Sequence, residues 1–318
     1  MDDGRWTIVR YDMAVFDVIG VGTNSVDEVL ITGENLLDVL SAGKGRVHAR
    51  HVFSGGQTAT TMCACAAFGL KTGYVGAFGS DAWGGMVRRD LEERGVATNH
   101  STVVDQPNRT AVIVVDASGH RTVLWHRSEG LSLKPYELDA SALQARLVHI
   151  DDDDPEIALR AATLATSAGT PVTSDLEHLN GSTEQLISAT TYPILNQHLA
   201  LALTGEHDPE RALRRLRRLN PGLLCVTLEA RGAAALDGDR FHMSAAVPVS
   251  VVDNTGAGDI FRGGFIYGIL QKWAIADILR FANAAAGLSC TRLGAIASVP
   301  THDEARRLLA QSLSEHRG

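Results

Sequence analysis

The sequence predicts an α/β fold whose central, mostly parallel sheet is flanked by helices on both faces. Short apolar runs typical of buried strands alternate with longer helical stretches along most of the 318 residues. A hydrophobic fraction of 45% and a charged fraction of 21% suit a globular chain that buries a large core. No internal repeat or sharp change in composition divides the chain, so we expect a single main domain over residues 1–318 with a small β appendage.

The first half of the chain combines the start of this sheet with strand-rich segments. Gly69 and Gly95 each follow a helical stretch, and glycine in this position favours the end of a helix. Two apolar runs flank residues 117–120, which read as a hairpin turn. The elements predicted here are strands at 15–21 and 26–32, a helix at 59–68, a strand at 74–77, a helix at 84–94, and a hairpin formed by 110–116 and 121–126.

The second half alternates more regularly and favours a parallel sheet built from βα units. Strands are predicted at 147–150, 171–174, 192–195 and 223–228, a hairpin at 233–236 and 240–243, and an apolar strand at 249–252. Helices are predicted at 155–168, 182–190, 208–219, 258–271 and 276–292, with a terminal helix from His302.

Charge and composition exclude several classes of function. A formal net charge of -8 argues against a general nucleic-acid surface, and the basic run 211–218 alternates with leucines like a solvated helix face. No apolar run approaches the length that a bilayer requires, so no membrane partner is expected. The start of the chain is acidic with no apolar run after it, so we expect a cytoplasmic protein. The four cysteines match no zinc or disulfide pattern and are expected to be buried thiols.

The strongest chemical signal is the run Asp253-Asn254-Thr255-Gly256-Ala257-Gly258-Asp259, at the start of a predicted helix. Small residues at 256–258 allow close approach of a ligand and leave backbone N–H groups unshielded. Those groups open a helix, where the macrodipole favours negative charge, so they form an anion hole suited to a phosphoryl group. Asp259 in the first turn is placed to accept the proton of an attacking hydroxyl. The alternative is an ordinary helix N-terminus with an acidic first-turn residue.

These residues resemble the ribokinase-like (PfkB) family of carbohydrate kinases over nearly the whole chain. The family's C-terminal signature, Gly-Ala-Gly-Asp before a Phe and two small residues, appears at 256–264. Its N-terminal signature, a Gly-Gly pair before a small-residue helix and a later glycine-rich turn, appears at 55–68 and 75–84. The resemblance implies a ribokinase-like fold with a small β-sheet lid, drawn from segments of about 24–54 and 103–128.

The resemblance assigns a role to each matching residue. Asp259 is the expected general base, and the amides of Gly256, Ala257 and Gly258 are the expected anion hole. Asp27 matches the position that holds substrate hydroxyls, which a carboxylate accepts in a fork, although a turn residue is the alternative. The remaining matches are Gly55, Gly56, Gln57, Thr60 and Arg121 for the acceptor, and Asn196, Thr227, Gly232, Asn254, Gly256, Gly258 and Asn283 for ATP.

Three positions depart from the family pattern. Leu199 stands where the family's Asn-x-x-Glu motif has Glu, Asn254 stands in place of a Thr, and Glu229 replaces a usual Gly. The first two leave open how Mg²⁺ and phosphate are arranged. The resemblance nevertheless implies ATP and Mg²⁺ as cofactors, a monovalent cation near Asp253, and a homodimer that pairs through the lid.

The expected activity is ATP-dependent phosphorylation of a sugar hydroxyl. Arg121 and the missing Glu are closest to ketohexokinase-type members, which favours a ketose or a related phosphorylated or sulfonated ketose. A ribose-type or nucleoside acceptor, as for an adenosine-type kinase, is an alternative, and a catalytically inactive sugar or nucleotide sensor is an alternative of another class. A nicotinamide-dependent oxidoreductase is disfavoured, because Ser25 occupies the last Gly position of the dinucleotide fingerprint at 20–25.

The acidic cluster 151–154 follows a predicted strand at the edge of the sheet where such folds bind ligands. Consecutive side chains of an extended segment diverge, so the four carboxylates are not expected to share one metal ion. A solvated loop before Pro155 is the default expectation, and a position at the rim of the substrate site is the alternative.

Overall fold

The structure is a computed structural model that describes residues 16–118 and 120–315. In chain order its strands are β1 Phe16–Val21, β2 Ser25–Thr32, β3 Val47–Gly55, β4 Thr72–Val75, β5 Ala77–Gly79, β6 Val96–Ala97, β7 Thr102–Val104, β8 Thr110–Val115, β9 Arg121–His126, β10 Ala145–Asp151, β11 Val172–Asp175, β12 Ile194–Asn196, β13 Leu224–Thr227, β14 Ala233–Asp237 and β15 Arg240–Ser244. The α-helices are α1 Leu36–Ala42, α2 Gln57–Ala67, α3 Ala82–Glu93, α4 Pro155–Ser167, α5 Thr183–Ala189, α6 Gln197–Thr204, α7 Pro209–Leu216, α8 Ala257–Leu270, α9 Ile275–Ser289 and α10 His302–Glu315.

The main sheet has two parts that join edge to edge. Five parallel strands lie in the order β11-β10-β1-β4-β6, and four more lie in the order β12-β13-β14-β15. Leu176 joins the two parts, because its N–H donates to the carbonyl of Ile194 at 3.0 Å and its carbonyl accepts from Asn196 N at 3.1 Å. In the second part, β12 and β13 pair in parallel, and β14 runs antiparallel to both of its neighbours, β13 and β15. The predicted α/β fold with a mostly parallel sheet is confirmed.

Helices cover both faces of this sheet because successive residues of its central strands point in opposite directions. Ile19 and Val148 belong to a core with the apolar faces of α4, α5, α6 and α7. Val18 and Leu147, one position earlier on the same strands, belong to a core with α2, α3, α8, α9 and α10. The near-continuous apolar character of β1 and β10 therefore follows from burial on both sides.

A small second sheet, in the order β3-β2-β8-β9, stands beside the main one. Strands β2 and β8 pair in parallel, and the other two pairs are antiparallel. The hairpin β8–β9 places Ala111 opposite Trp125 and Ile113 opposite Val123. These strands come from the segments expected to supply the lid, and the predicted hairpin is confirmed.

The predicted strand at 249–252 is wrong. These residues form no strand, and Val251 and Val252 are 65% and 59% exposed. The N–H groups of Val252 and Asp253 instead donate to the carbonyl of Cys290 at the end of α9, at 2.8 and 3.1 Å. The helices predicted at 208–219 and 276–292 end three residues early, at Leu216 and Ser289.

The sequence predicted no membrane-spanning segment and four buried cysteine thiols. In the part of the chain that the structure describes, no helix is both long and apolar enough to cross a bilayer. All four cysteines are free thiols, and three of them are buried as expected, whereas Cys290 is partly exposed.

Candidate active site

Two clefts meet beside the loop that precedes α8. The first has a volume of about 800 Å³ and lies between the small sheet and the ends of the main-sheet strands. The second has a volume of about 590 Å³ and lies between α9, the loop after β15 and the ends of β12 and β13. Glu177 and Asn254 line both clefts, while Asp259 lines the first and Ala257 and Gly258 line the second. The start of α8 therefore faces both ligand spaces.

The start of α8 keeps backbone N–H groups available to a ligand. Gly256 adopts a left-handed φ of 78°, and a Cβ there would lie 2.8 Å from the Cβ of Ala295, so the position requires glycine. The first full helical bond runs from Ile260 N to Gly256 O at 2.9 Å. The N–H groups of Gly258 and Asp259 precede that bond and have no acceptor within the helix. The predicted anion-hole residues thus form a helix N-terminus that favours negative charge.

The side chain of Asp259 reaches the first cleft from this turn. Burial beneath the cleft raises the pKa of its carboxyl well above the ordinary range, and the negative charge of Glu177 raises it further. The positive charge of Arg262 opposes this rise. The hydroxyl of Thr61 on α2 donates a hydrogen bond to the backbone carbonyl of Asp259, at 3.1 Å, and this bond holds the turn in place. A carboxylate of raised basicity in this position suits a general base.

Arg262, which was not among the predicted site residues, is completely buried one helical turn after Asp259. Its guanidinium pairs with Asp175 at the end of β11, and Glu177 Oε1 lies 3.8 Å away. The available signal was a single charged residue within the small and apolar stretch 260–266 of a buried helix. Charged residues are rarely buried unless they are paired, so that pattern predicts a carboxylate partner.

Asp27 lies on β2 and lines the first cleft. Ser25 Oγ donates to its Oδ1 at 3.0 Å, and a Cβ on Gly55 would lie 2.5 Å from its Oδ2, so only glycine fits beside it. Burial raises the pKa of Asp27, and the charge of Asp253 adds to that rise. The Asp27 carboxylate therefore lines the cleft, and the residue beside it on β3, Gly55, has no side chain to cover it.

Residues 56–60 shape the floor of the first cleft. Gly56 has φ 100°, and a Cβ there would lie 2.4 Å from the Cα of Asn24. Gln57 lines the cleft, and its Nε2 is buried without a hydrogen-bond partner among residues 16–118 and 120–315. Thr60 lies deeper, completely buried, and its methyl would contact a Cβ placed on Gly256 at 3.3 Å. Gln57 therefore has an unpaired donor beside the cleft, whereas Thr60 packs behind the start of α8.

Arg121 connects the small sheet to the loop before α8. Its guanidinium lies 3.0 Å from Asp253 Oδ1 and donates to the side chains of Asn254 and Thr255. Burial alone would raise the pKa of Asp253, but hydrogen bonds from Thr255 and Gly294 hold it below its ordinary value. The small sheet therefore reaches across the first cleft to the residues that shape the anion hole.

The second cleft gathers the residues expected to contact a nucleotide. Asn196, Thr227, Gly232 and Asn283 all line it, with an apolar wall that includes Val247, Val249 and Ala286. Val249 and Val251 thus supply apolar surface to a cleft, which explains an apolar run that forms no strand. Asn283 Nδ2 donates to the carbonyls of Ser244 and Ala245, at 2.9 and 3.1 Å, which ties α9 to the end of β15.

The departures from the family pattern have distinct structural settings. Leu199 is 1% exposed and belongs to the core, so its side chain does not line the cleft. Asn196 Oδ1 caps α6 by accepting from Leu199 N at 2.8 Å. Glu229 adopts a left-handed φ of 53°, the conformation that glycine takes without strain, which accounts for the usual glycine there.

The expectation of a solvated loop at 151–154 is wrong for its first two residues. Asp151 is buried and accepts from Thr23 N and Thr58 Oγ1, both at 2.7 Å. Asp152 is buried and accepts from the N–H groups of Glu177 and His178, at 2.8 and 2.7 Å. These carboxylates are structural acceptors that fix the loops around the first cleft. Within the described residues, no three His, Cys, Asp or Glu side chains form a metal-binding group.

Known proteins resemble this chain over most of its length. Residues 25–302 match the family described as pfkB family carbohydrate kinase. The chain belongs to this family. The match includes both glycine-rich signatures, the small sheet and the start of α8.

Relatives in this family act on different acceptors. The chain is 28% identical over 309 residues to a fructokinase of Klebsiella pneumoniae, covering 89% of this chain and 99% of the relative. It is 26% identical over 303 residues to a nucleoside kinase of Methanothermobacter thermautotrophicus, covering 93% and 96%. A solved structure of Arabidopsis thaliana ribokinase, complexed with ribose and ATP, superposes with a TM-score of 0.78 at 23% identity, covering 92% of this chain and 98% of that one. The pfkB chain therefore has a ribokinase-like fold, and its family does not fix the acceptor.

Proposed function

We propose that the chain transfers the γ-phosphoryl group of ATP to a hydroxyl of a sugar bound in the first cleft. Asp259 accepts the proton of that hydroxyl, and the amides of Gly256, Ala257 and Gly258 stabilise charge on the phosphoryl group in flight. The observation that carries the proposal is the start of α8, which lies where the two clefts meet. Phosphoryl transfer depends mainly on positioning and charge stabilisation, and this turn supplies both.

The acceptor would be held at the end of the cleft away from the nucleotide. Asp27 takes two hydroxyls, Gly55 and Gly56 allow close approach, and the unpartnered Nε2 of Gln57 donates. Thr60 contributes by supporting the floor of the cleft. The segments of about 24–54 and 103–128 act as a lid on a single kinase domain, and Arg121 fastens the lid to the loop before α8. A closed lid excludes water, which protects ATP from hydrolysis.

ATP would occupy the second cleft, with Asn196, Thr227, Gly232, Asn254 and Asn283 around it and its γ-phosphate at Gly256–Gly258. Mg²⁺ commonly binds one or two carboxylates together with substrate phosphates and keeps several waters. The Glu177 carboxylate at the junction of the clefts fits such an ion, which would neutralise charge on the phosphates.

The side chain of Asp253 keeps one position open to the expected monovalent cation. Its two oxygens already accept from Thr255 N, Thr255 Oγ1, Gly294 N and the Arg121 guanidinium. Oδ1 takes three of these four donors and Oδ2 takes only the N–H of Gly294, so Oδ2 keeps a lone pair for such a cation.

A ketose such as fructose is the first candidate acceptor, and a nucleoside is the second. Trp125 favours the second candidate, because it lines the first cleft beside Val123 and remains 67% exposed. An exposed aromatic face in a cleft suits stacking on a base, which is worth about 1–3 kcal/mol per base. Lid pairing between two copies of the chain and a cytoplasmic location remain parts of the proposal.

Coupled ATP turnover over a panel of ketoses, aldopentoses, phosphosugars and nucleosides tests the proposal. We expect one sugar class to give ATP-dependent product at a rate far above hydrolysis without acceptor. Product from nucleosides alone would favour the second candidate. ATP and sugar binding without turnover would favour a catalytically inactive sensor, which the loss of the motif Glu at Leu199 makes worth testing.

A further inference from the structure

His178 lies in the loop after β11, where a buried carboxylate holds it in place. Its imidazole is 60% exposed and lines the first cleft, while its partner Asp152 is 1% exposed. Asp152 Oδ1 lies 3.0 Å from His178 Nδ1, and Oδ2 accepts the backbone N–H groups of Glu177 and His178 at 2.8 and 2.7 Å. One buried carboxylate thus fixes both the loop and the ring. An ionised carboxylate can only accept hydrogen bonds, so Nδ1 of His178 carries a proton, and Nε2 is the ring nitrogen without a partner among the described residues.

The basic side chains of the first cleft are all neutralised among the described residues. Arg109 pairs with Asp153 at 2.6 Å, Arg121 pairs with Asp253 at 3.0 Å, and His178 pairs with Asp152. The neighbouring Arg127 also forms ion pairs, with Asp153 at 2.7 Å and with Asp154 at 3.1 Å. No cation lining the cleft is therefore free to receive a second phosphate or a carboxylate.

Carboxylates remain in excess around the same space. Asp27, Glu177 and Asp259 line the cleft, and the buried guanidinium of Arg262 nearby pairs with Asp175. An anionic acceptor would face these like charges in a partly desolvated cleft, or would have to break one of the ion pairs. A neutral polyhydroxy compound meets no such repulsion, and its hydroxyls match both carboxylate acceptors and an imidazole.

We infer that the acceptor is an uncharged polyol, held by Asp27 at one point and by His178 Nε2 at a second. This inference rests on the proposed function, because it treats the first cleft as the acceptor site. It narrows the substrate class by excluding phosphorylated and sulfonated sugars. His178 is a substrate-binding residue in this account, and Asp152 is the residue that positions it.

The protonation of His178 agrees with recognition of a hydroxyl. The hydrogen bond to Asp152 raises the pKa of His178, against the lowering effect of burial, and the charges of Asp152, Glu177 and Asp153 add to the rise. A hydroxyl both donates and accepts, so it bonds to Nε2 in either protonation state. A phosphate would need the protonated ring, whose charge Asp152 already offsets.

Binding measured by calorimetry without ATP tests the substrate class on the full-length chain. Matched pairs are compared: fructose with fructose 6-phosphate, ribose with ribose 5-phosphate, and adenosine with adenosine monophosphate. We expect at least one neutral member to bind at least tenfold more tightly than its phosphorylated partner. Equal or tighter binding of the phosphorylated members, or no binding of any neutral member, would overturn the inference.

Variants of His178 test its role with the same measurement. We expect His178→Ala to weaken binding of the neutral ligand at least tenfold and His178→Gln, which keeps a hydrogen-bonding end, to weaken it about threefold or less. ATP affinity and Tm should stay at wild-type values in both variants. His100→Ala is the matched control, since His100 is exposed, lies near Asp139 and lines neither cleft.

Unchanged ligand affinity in His178→Ala, or an equal loss for ATP, would contradict the assignment of His178. The proposed kinase function fails separately, by absence of ATP-dependent product with every ligand that binds. Binding without ATP therefore distinguishes failure of this inference from failure of the proposed function.

Discussion

Arg262 and Asp175 form an ion pair whose side chains are 1% and 0% exposed. The pair joins the first turns of α8 to the end of β11, so it links the helix that carries Asp259 to the central sheet. A buried ion pair is costly to assemble, but removal of one partner leaves the other charge buried and uncompensated. Loss of this pair should therefore lower the stability of the fold, and the charge of Arg262 also lowers the pKa of the proposed base, Asp259.

Arg262→Leu should lower the free energy of unfolding by about 3–5 kcal/mol, because Asp175 then remains buried without its cation. Urea denaturation of the variant and the wild type measures the difference. The matched control is Arg218→Leu, which removes an exposed pair with Glu184 and should cost no more than about 1 kcal/mol. Equal costs for the two variants would show that burial of the Arg262 pair has no energetic consequence.

The pH dependence of kcat/KM should report the raised pKa of Asp259. A general base works when deprotonated, so activity falls as pH falls through the pKa of Asp259. Glu177→Gln removes a negative charge that raises this pKa, so the acidic limb should move to lower pH. A pH–rate profile measures the limb, with Glu184→Gln on exposed α5 as the control. A shift to higher pH in Glu177→Gln would contradict the assignment.

Gly256→Ala should abolish turnover through a steric effect at the anion hole. The new Cβ would meet Ala295 at 2.8 Å, so the turn must shift, and the left-handed φ adds strain of about 1 kcal/mol or more. Gly169→Ala is the control, since it has φ 76° but no neighbour within 4 Å of the new Cβ. Both variants should lose similar stability from the backbone, but only Gly256→Ala should lose activity. Steady-state kinetics and thermal unfolding separate the two effects.

Arg121→Ala should lower kcat by up to about 10²-fold, because the loop before α8 loses the contacts that help to position it. It should also raise ATP hydrolysis in the absence of acceptor, because the lid loses its contact with Asp253–Thr255. Arg50→Ala provides the control, since Arg50 lies on β3 of the same sheet and pairs with Glu28 within that sheet. Equal kcat values for the two variants would remove Arg121 from the mechanism.

The sequence predicted most of the fold because its periodic patterns reflect burial in regular elements. Strand β1 and helix α8 lie within one residue of their predicted bounds, and the hairpin β8–β9 formed as expected. The failure at 249–252 has a specific cause. Alternate apolar residues there serve a ligand cleft instead of a sheet, and periodicity does not distinguish the two kinds of burial.

Individual roles were harder to predict than elements. The motif at 253–259 identified the start of α8, because a glycine at the helix cap and a carboxylate in the first turn depend on neighbouring residues alone. The roles of Asp152 and Arg262 depend on partners more than 20 residues away in sequence, His178 and Asp175. The contact of Arg121 with Asp253 joins the small sheet to the C-terminal half, and the resemblance to a known family indicated only that Arg121 lies near the acceptor.

The most direct test of the account is turnover by Asp259→Asn, which preserves the shape of the side chain but removes the base. We expect kcat to fall about 10²–10⁴-fold, the usual contribution of a general base, while calorimetry gives wild-type affinities for ATP and the acceptor. Asp277→Asn on the exposed start of α9 serves as control. Wild-type turnover in Asp259→Asn would contradict the assignment of Asp259 as the base.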